Sequence, residues 1–327
     1  MTFEDEVRQF VAEWQSAKPT VTVFTSGSTG SPKPFEASKQ KMTNSARMTC
    51  DFLGLKPGDT ALLCMPMKYI AGKMVVVRSL VRSLRLITIE PSGHPFDAVN
   101  EHINFAALTP MQVFNTLGVE NEKKKMQSVD NLIIGGGAID KKMAEELQRF
   151  PNRVWSTYGM TETLSHIAMR RVSGVDATDW YTPLCGVSVD LSARGTLTID
   201  APSLCDNMLE TNDLAEIDAE GRFRILGRTD NTINSGGVKI QIEQVEDLLR
   251  QYTDIPFVIT SRSDVKFGEV VVLITEAENT DLIKDICEKS LPKYWQPKVY
   301  ISHEVPCTAT NKPDRKKAKT IAQNAEI

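Results

Sequence analysis

Apolar residues recur along this chain of 327 residues with two different spacings. From position 20, short runs of β-branched and apolar residues alternate with longer stretches in which apolar residues return every three or four positions. This alternation predicts βα units and an α/β core whose mostly parallel sheet is covered by helices on both faces. The strands predicted in this region are 21–24, 61–65, 86–89, 104–108, 131–134 and 153–156, and the helices are 38–53, 72–84, 111–117 and 141–150.

Beyond about position 183 the apolar runs are interrupted by Gly and Asp turns, as in residues 195–200 and 215–226. Such meanders are typical of antiparallel sheet. We therefore expect an antiparallel β subdomain to follow the parallel sheet.

The last part of the chain has a third pattern. Its predicted elements are helices at 243–252 and 282–290 and a hairpin of strands 257–260 and 270–275. Together they predict a small α+β unit, and turn-forming residues at 227–231 mark a hinge before it. The sequence thus predicts a large core over 1–230 and a small, mobile carboxyl-terminal domain over 231–327.

The composition is that of a globular protein, with 41% hydrophobic and 24% charged residues and no apolar run near the ~20 residues of a membrane span. Its acidic, amphipathic start predicts a packing helix and not a signal peptide. A net charge of −4 argues against nucleic-acid binding, although five Lys or Arg residues lie between 311 and 319. The six cysteines contain no CxxC pair, which favours reduced thiols in a cytoplasmic protein.

The segment 25–33 follows a predicted strand and combines hydroxyl groups, glycines and a lysine. A polyphosphate requires backbone amides, hydroxyl donors and a cation, and glycine lets the backbone approach the oxygens closely. The kinase and GTPase pattern is excluded, because Pro32 stands where its second glycine belongs and Pro34 replaces its magnesium-binding hydroxyl. The alternative is a surface linker rich in Gly and Ser. The predicted phosphate-binding residues are Thr25, Ser26, Gly27, Ser28, Thr29, Gly30 and Lys33.

A second segment consists of Gly135, Gly136, Gly137 and Ala138, directly after the predicted strand 131–134. Three glycines would let a flat ring lie against bare backbone. A tight turn is an equally common use of such a sequence, so that this segment alone is weak evidence for a binding site.

A third segment, residues 157–163, offers an aromatic ring, a hydroxyl and a carboxylate within a few positions. Tyr158 could stack on a ring, Thr161 could bind a phosphate, and Glu162 could bind magnesium. The alternative is a strand-end turn in which Tyr158 packs into the core.

The order of the motifs makes the chain recognisable. TSGSTGSPK, GGGA, TYGMTE, Thr211-Asn212-Asp213, GRTDN and the late Lys312 occur in this order. They resemble the acyl-adenylate-forming (AMP-binding) superfamily of acyl-CoA synthetases, carrier-protein adenylation domains and luciferases. The resemblance covers about residues 20–317, and six motifs in order are far more specific than any one of them.

The resemblance implies a role for each nucleotide-binding segment. It assigns the loop 25–33 to the β- and γ-phosphates of ATP, and the segment 135–138 to the adenine. It assigns Tyr158, with Gly159 and Met160 beside it, to the adenine ring, Thr161 to the α-phosphate, Glu162 to Mg²⁺, and Asp213 and Arg228 to the ribose hydroxyls.

The resemblance also implies catalytic and mobile parts. Lys312 matches the catalytic lysine that bridges the substrate carboxylate and ATP, where it would stabilise negative charge. Asp230 matches the hinge position. Gly236 and Gly237 match the glycines that line the CoA channel after the small domain rotates.

The acyl pocket is predicted from residues 65–80. This stretch is similar to that of the 2-succinylbenzoate-CoA ligases of menaquinone biosynthesis, which have an arginine at a similar place in the helix. We hypothesise that Arg78, with Lys73, pairs with the second carboxylate of a dicarboxylate, since arginine can bind a carboxylate through two hydrogen bonds. Tyr69 stands where the family often has histidine. The alternative is that Arg78 anchors a surface helix.

These assignments imply an AMP-forming acyl-CoA synthetase that uses ATP, Mg²⁺ and coenzyme A. Its small-molecule carboxylate would be 2-succinylbenzoate, and the alternatives are another aromatic acid, a carrier-protein thiol as acceptor, or a non-catalytic nucleotide-binding regulator. Only 24 residues precede Thr25, where the family has a larger amino-terminal subdomain. We therefore expect a minimal enzyme, and a homodimer is one way to compensate.

Overall fold

A computed structural model of the chain describes residues 2–24, 34–308 and 313–325. Its helices are α1 (Phe3–Gln15), α2 (Lys39–Leu53), α3 (Ile70–Arg82), α4 (Pro110–Leu117), α5 (Glu120–Gln127), α6 (Lys141–Gln148), α7 (Ile242–Leu249), α8 (Asp281–Ser290) and α9 (Arg315–Asn324). Its strands are β1 (Thr20–Phe24), β2 (Pro34–Ser38), β3 (Thr60–Leu63), β4 (Arg85–Thr88), β5 (Phe105–Leu108), β6 (Asn131–Ile134), β7 (Arg153–Gly159), β8 (His166–Arg171), β9 (Thr182–Pro183), β10 (Ser188–Leu191), β11 (Thr196–Asp200), β12 (Leu209–Ile217), β13 (Phe223–Arg228), β14 (Thr232–Ser235), β15 (Val238–Gln241), β16 (Phe257–Asp264), β17 (Gly268–Thr275) and β18 (Val299–Ser302).

The largest sheet has the strand order β4-β3-β5-β6-β7-β8-β9. Strands β3 to β7 pair in parallel, whereas β8 and β9 are antiparallel additions at one side. Helices connect β3 to β4, β5 to β6 and β6 to β7, as βα units require. The carboxyl ends of the parallel strands therefore meet at one edge, and the predicted α/β core is confirmed.

The two faces of this sheet are covered by different helices. In β3, Ala61 and Leu63 belong to the apolar cluster that includes α1, α2 and α3. Leu62 and Cys64 belong to the opposite cluster, which α4, α5 and α6 cover. Successive side chains of a strand point to opposite faces, so that a continuous apolar run is buried on both sides.

Local signals in the sequence start and end these helices. The Ser38 hydroxyl accepts a hydrogen bond from the Lys41 amide at the start of α2, and Gly54 ends that helix with φ at +67°. At the start of α6, the Asp140 carboxylate accepts from the Met143 amide at 2.8 Å. Asp140 is thus a helix cap in the place where a dinucleotide-binding motif would have its last glycine.

The remaining strands form three further sheets. Strands β10 to β13 make a four-stranded antiparallel sheet, and β1 pairs with β2. Strands β15, β14, β17 and β16 form the last sheet, with β18 parallel to β17. The predicted antiparallel subdomain and the predicted hairpin of 257–260 with 270–275 are both confirmed.

The structure differs from the sequence prediction in several places, and two of them adjoin predicted site residues. The sequence pattern predicts a strand that ends at residue 156, but β7 continues through Gly159 because β8, which the pattern did not reveal, pairs with it. The basic stretch near the end of the chain contains α9, in which Ala318 and Ala322 are buried against β16 and β17. A tail with one small apolar stripe thus becomes a packed helix.

All six cysteines are free thiols. No helix in the described ranges is long and apolar enough to cross a membrane.

Candidate active site

Two of the predicted site elements lie outside the described residues. These are the phosphate-binding segment Thr25, Ser26, Gly27, Ser28, Thr29, Gly30 and Lys33, and the catalytic Lys312. Phe24 and Pro34, on either side of the first, pair with each other across β1 and β2. Phe24 also forms an isolated parallel bridge with Tyr69, a residue of the predicted acyl pocket.

The glycine segment follows β6 at the carboxyl edge of the large sheet. The Thr157 hydroxyl, on the neighbouring strand β7, donates to the carbonyl of Ile134 at 3.2 Å. A Cβ on Gly135 would lie 2.6 Å from this hydroxyl oxygen, so that any larger residue would have to displace the Thr157 hydroxyl. Gly136 has φ at +82° and is exposed, as is Ala138. The fold therefore leaves bare backbone, including that of Gly137, at this edge.

Tyr158 lies at the centre of a hydrogen-bonded group that joins two sheets. Its hydroxyl donates to Asp213 Oδ2 at 2.6 Å, and Arg228 Nη1 donates to the other carboxylate oxygen at 2.9 Å. Asp213 and Arg228 are register partners in β12 and β13. Burial, reinforced by the Asp213 charge, raises the pKa of Tyr158, so that the phenol stays protonated and acts as the donor.

The Tyr158 ring is half-buried among other aromatic side chains. It meets Phe223 edge to face, with 5.1 Å between ring centroids, and Tyr181 at 5.9 Å. The packing alternative for Tyr158 therefore describes part of its environment. One residue further on, a Cβ on Gly159 would lie 2.4 Å from the Ser165 carbonyl oxygen, which makes glycine obligatory there.

The turn after β7 carries the predicted phosphate and metal ligands. The Met160 amide donates to the Thr163 hydroxyl at 3.0 Å, and Leu164 adopts φ at +63°. Thr161 is left half-buried, and Glu162 is exposed. The described residues contain no group of three His, Cys, Asp or Glu side chains that could hold a metal. A lone accessible carboxylate still fits Mg²⁺, which is commonly held by one or two carboxylates together with substrate phosphates.

Arg78 is the most unusual charged residue of the site. Its surface is only 2% exposed. Nη2 donates to the Ser165 hydroxyl at 2.8 Å, and Nε is buried without a hydrogen-bond partner. In the described part of the chain no carboxylate forms an ion pair with Arg78, and burial lowers its pKa to about 10. The alternative of a surface helix anchor is wrong, because the guanidinium points into the protein.

The structure does not bring the other two predicted acyl-pocket residues to Arg78. Lys73 Nζ lies 4.7 Å from the centroid of the Phe10 ring, against α1. Lys73 and Arg78 are five residues apart and therefore about 140° apart around α3, at about 100° per residue. Tyr69 precedes the first turn of α3 and reaches Phe24 instead.

The hinge and channel residues lie in and beyond the turn after β13. Asp230 Oδ2 accepts hydrogen bonds from Arg228 at 3.1 Å and from Asn212 at 3.2 Å, so that the predicted hinge residue touches the Asp213 group. Gly236 and Gly237 form the exposed turn between β14 and β15, with φ at +58° and +85°. Nothing lies within 4 Å of a Cβ built on Gly237.

Sequence reasoning missed the residues that surround Arg78. Ser165 binds its guanidinium, and the ring of His166 lies beside Ser165 and is 6% exposed. Thr49, on α2, lies 2.9 Å from His166 Nε2. One signal was available, since a histidine opening the apolar run of β8 directly after the Thr161-Glu162 segment is an isolated polar residue in a buried strand.

Proteins of known name resemble this chain over most of its length. The 2-succinylbenzoate-CoA ligase of Bacillus cytotoxicus is 26% identical and is covered over 72% of its length by 95% of this chain. An acyl-CoA synthetase (AMP-forming)/AMP-acid ligase II-like protein from Dyadobacter fermentans superposes with a TM-score of 0.68 at 29% identity, over 96% of this chain and 93% of that chain.

A solved o-succinylbenzoate CoA synthetase from Bacillus subtilis, in complex with its acyl-adenylate intermediate, superposes with a TM-score of 0.77. It is 21% identical, and the match covers 94% of this chain and 70% of that chain, so that it supports the fold alone. The sequence profile of the AMP-binding enzyme family matches residues 3–199. Because this match spans more than half of its residues, the chain belongs to the AMP-binding enzyme family.

Proposed function

We propose that this protein is an ATP-dependent acyl-CoA ligase that acts on 2-succinylbenzoate. In the first step a carboxylate oxygen of the substrate attacks the α-phosphorus of ATP, the bond to the β-phosphate breaks, and pyrophosphate leaves. In the second step the thiolate of CoA attacks the acyl carbon, and AMP leaves. Membership of the AMP-binding enzyme family and the names of the relatives support this proposal.

The nucleotide would lie across the carboxyl edge of the large sheet. The bare backbone at 135–138 and the ring of Tyr158 suit the adenine. Asp213 suits the ribose, because each oxygen of a carboxylate can accept two hydrogen bonds, and among the described residues each accepts one, from Tyr158 or from Arg228. The ribose hydroxyls can therefore donate to Asp213 without displacing its partners.

The phosphates would be bound by the segment 25–33, by Thr161 and by Mg²⁺ at Glu162. Bound Mg²⁺ would withdraw negative charge from the phosphates as pyrophosphate leaves. Glu162 suits this role because it is exposed and its carboxylate has no hydrogen bond to any described residue. Lys312 is proposed as the cation that stabilises charge between the substrate carboxylate and the α-phosphate.

The observation that carries the choice of substrate is the burial of Arg78 without a carboxylate partner. A buried guanidinium without a counter-ion is costly, and a protein rarely retains one without a use. The second carboxylate of a dicarboxylate would supply the missing charge. Ser165 accepts the hydrogen bond from Arg78, and its amide donates to the Thr163 carbonyl at 2.7 Å, so that Arg78 contacts the end of the turn that carries Thr161 and Glu162.

Pyrophosphate release with a set of matched acids tests this function. We expect release with 2-succinylbenzoate and much slower release with each of two analogues. The analogue 4-oxo-4-phenylbutanoate lacks the carboxylate on the benzene ring, and 2-butanoylbenzoate lacks the carboxylate at the end of the side chain. The analogue that still reacts identifies the carboxylate that is activated, and the other carboxylate is the partner of Arg78. Equal rates with 2-succinylbenzoate and the reactive analogue would contradict the dicarboxylate assignment. Silence with all acids, despite ATP binding, would favour a non-catalytic regulator.

Free CoA as acceptor, and rotation of a mobile domain over 231–327, are parts of the same proposal. Thioester formation with CoA in the absence of any carrier protein tests the acceptor. Lys312→Ala should stop adenylation and spare thioester formation from supplied acyl-adenylate, because the domain rotation would move Lys312 away and bring Gly236 and Gly237 to the thiol. Loss of both half-reactions together would argue against the rotation.

A further inference from the structure

We propose that His166 is a positioning residue for acyl specificity, which acts through Ser165 to orient Arg78 towards the second carboxylate of the substrate. The inference rests on the proposed function, and it adds residues that the sequence motifs do not assign. It is carried by a chain of hydrogen bonds from α2 through His166 to α3.

The first link of this chain is Thr49. Its hydroxyl oxygen lies 3.1 Å from the Ser45 carbonyl oxygen, and a carbonyl can only accept. The single proton of the hydroxyl is therefore directed to Ser45. The contact of 2.9 Å between Thr49 Oγ1 and His166 Nε2 then requires that the ring donates, so that Nε2 carries the proton.

The second link is the charge of the ring. Burial, and to a lesser extent the nearby Arg78 cation, hold the pKa of His166 well below its ordinary value of 6.5. His166 is thus neutral at pH 7 and carries one proton. Since Nε2 holds that proton, Nδ1 is an acceptor for the Ser165 hydroxyl at 3.4 Å.

The third link is Ser165. Because its only proton is directed to His166, its hydroxyl oxygen presents lone pairs to Arg78, which donates from Nη2 at 2.8 Å. Every bond from Arg78 to Ser45 now has one direction. Among the described residues the guanidinium is hydrogen-bonded through Nη2, while Nε is buried without a hydrogen-bond partner. A carboxylate that reaches this donor leaves water behind, which strengthens the pair.

Reversing any link would change the orientation of Arg78. If Nδ1 carried the proton, it would donate to Ser165, whose own proton would then be free to point at Arg78. A positive hydroxyl proton facing a cation is unfavourable, and the guanidinium would lose its fixed position. A role in packing alone would not depend on these proton positions.

Matched substitutions separate positioning from packing. His166→Gln keeps an amide donor and a carbonyl acceptor in place of the two ring nitrogens, whereas His166→Leu keeps only bulk. Thr49→Ser keeps the hydroxyl, whereas Thr49→Val removes it at nearly constant volume. We expect KM for 2-succinylbenzoate to rise about tenfold in His166→Leu and Thr49→Val, roughly the effect of one or two lost hydrogen bonds, and much less in His166→Gln and Thr49→Ser.

The analogue that lacks the Arg78-bound carboxylate is the internal control. Its KM, the KM for ATP and kcat should change less than twofold in all four variants, since none of them depends on the orientation of Arg78. Equal increases in KM for the dicarboxylate and the analogue would overturn the proposal, as would an unchanged KM for both. If His166→Leu fails to fold, the Thr49 pair decides by the same comparison.

The tautomer can be measured without any turnover. ¹⁵N-labelled histidine should give the Nε2-protonated neutral pattern for His166 in nuclear magnetic resonance spectra at pH 7, and Arg78→Met should raise its pKa. An Nδ1-protonated or charged ring at pH 7 would contradict the direction of the chain. Failure of the proposed function has a different signature, because the wild-type protein would then release no pyrophosphate with any acid.

Discussion

Arg78 is buried and Arg315 is partly buried, and the two guanidinium groups differ in whether a carboxylate pairs with them. Arg315 forms a forked pair with Glu246, in which Nη2 donates to Oε2 at 2.8 Å, and the Glu246 side chain is 2% exposed. Although burial opposes it, this pairing raises the pKa of Arg315. Arg78 has only the neutral Ser165 hydroxyl, and burial lowers its pKa to about 10.

The difference indicates two uses of a guanidinium that is wholly or partly removed from solvent. The Glu246 pair ties α9 to α7, and the Ile259 amide on β16 donates to the same carboxylate at 2.9 Å, so that the charge is satisfied within the fold. Arg78 forms no ion pair with a carboxylate among the described residues. Burying a cation of this kind destabilises the folded state, and the binding of an anion offsets this cost.

The largest expected effect tests the structural half of the comparison. Arg315→Met leaves Glu246 buried with only Arg250 as a cationic partner, and should lower the free energy of unfolding by about 3 kcal/mol. Urea unfolding followed by tryptophan fluorescence measures the loss. The double variant Glu246→Leu/Arg315→Met should recover most of it, and a loss below about 1 kcal/mol in the single variant would contradict the assigned role.

The functional half is tested by Arg78→Met. Losing a desolvated, charge-assisted pair should destabilise the transition state with 2-succinylbenzoate by about 2 kcal/mol, which lowers kcat/KM roughly thirtyfold. The free energy of unfolding should stay the same or rise. Arg82→Met is the matched control, since Arg82 lies one turn later on α3 and is paired with Asp51. A clear loss of stability in Arg78→Met, or an equal kinetic effect of Arg82→Met, would remove the distinction between the two arginines.

The buried His166 makes stability depend on pH. The pKa of His166 in the folded state lies well below the unfolded value of 6.5, so that the unfolded state binds a proton more readily. The folded state therefore loses stability progressively as the pH falls below this value. The free energy of unfolding should fall by about 1 kcal/mol between pH 7.5 and 5.5 from this group alone. His166→Gln should remove that part of the slope, and parallel slopes in the two proteins would show that folding does not lower the pKa of the ring.

The smallest effect concerns Asp213, a carboxylate with both a cation and a phenol as partners. Tyr158→Phe removes one hydrogen bond of about 1 kcal/mol and leaves the Arg228 pair intact. KM for ATP should rise a fewfold, while KM for the carboxylate substrate should not change. A rise confined to the carboxylate would place Tyr158 in the acyl pocket and not beside the nucleotide.

Some elements of the site could be read from the chain because their cause is local. Asp140 caps α6 through a residue three positions away, and Gly159 is required by a carbonyl six positions later. Such signals fall within one short segment of sequence. The nucleotide-binding assignments of Tyr158, Asp213 and Arg228 came from the order of motifs, and they remain predictions, although the fold brings the three side chains into hydrogen-bond contact.

Other parts of the site depend on residues that are far apart in sequence. The extension of β7 through Gly159 needed β8 as a partner, and periodicity gives no information about pairing. His166 and Thr49 are separated by 117 positions, so that no local pattern could indicate their hydrogen bond. The joint role predicted for Lys73 and Arg78 did not take account of α1, which lies against Lys73.

By itself, the sequence determined the alternation of strands and helices, the ends of several helices and the family resemblance, because each is encoded by neighbouring residues or by their order. Only the tertiary structure decided that Arg78 is buried, that Ser165 is its partner, and that no described carboxylate reaches it. The physical reason is that the cost of a charge depends on what surrounds it. Its surroundings come from α2, α3 and the start of β8, which only folding brings together.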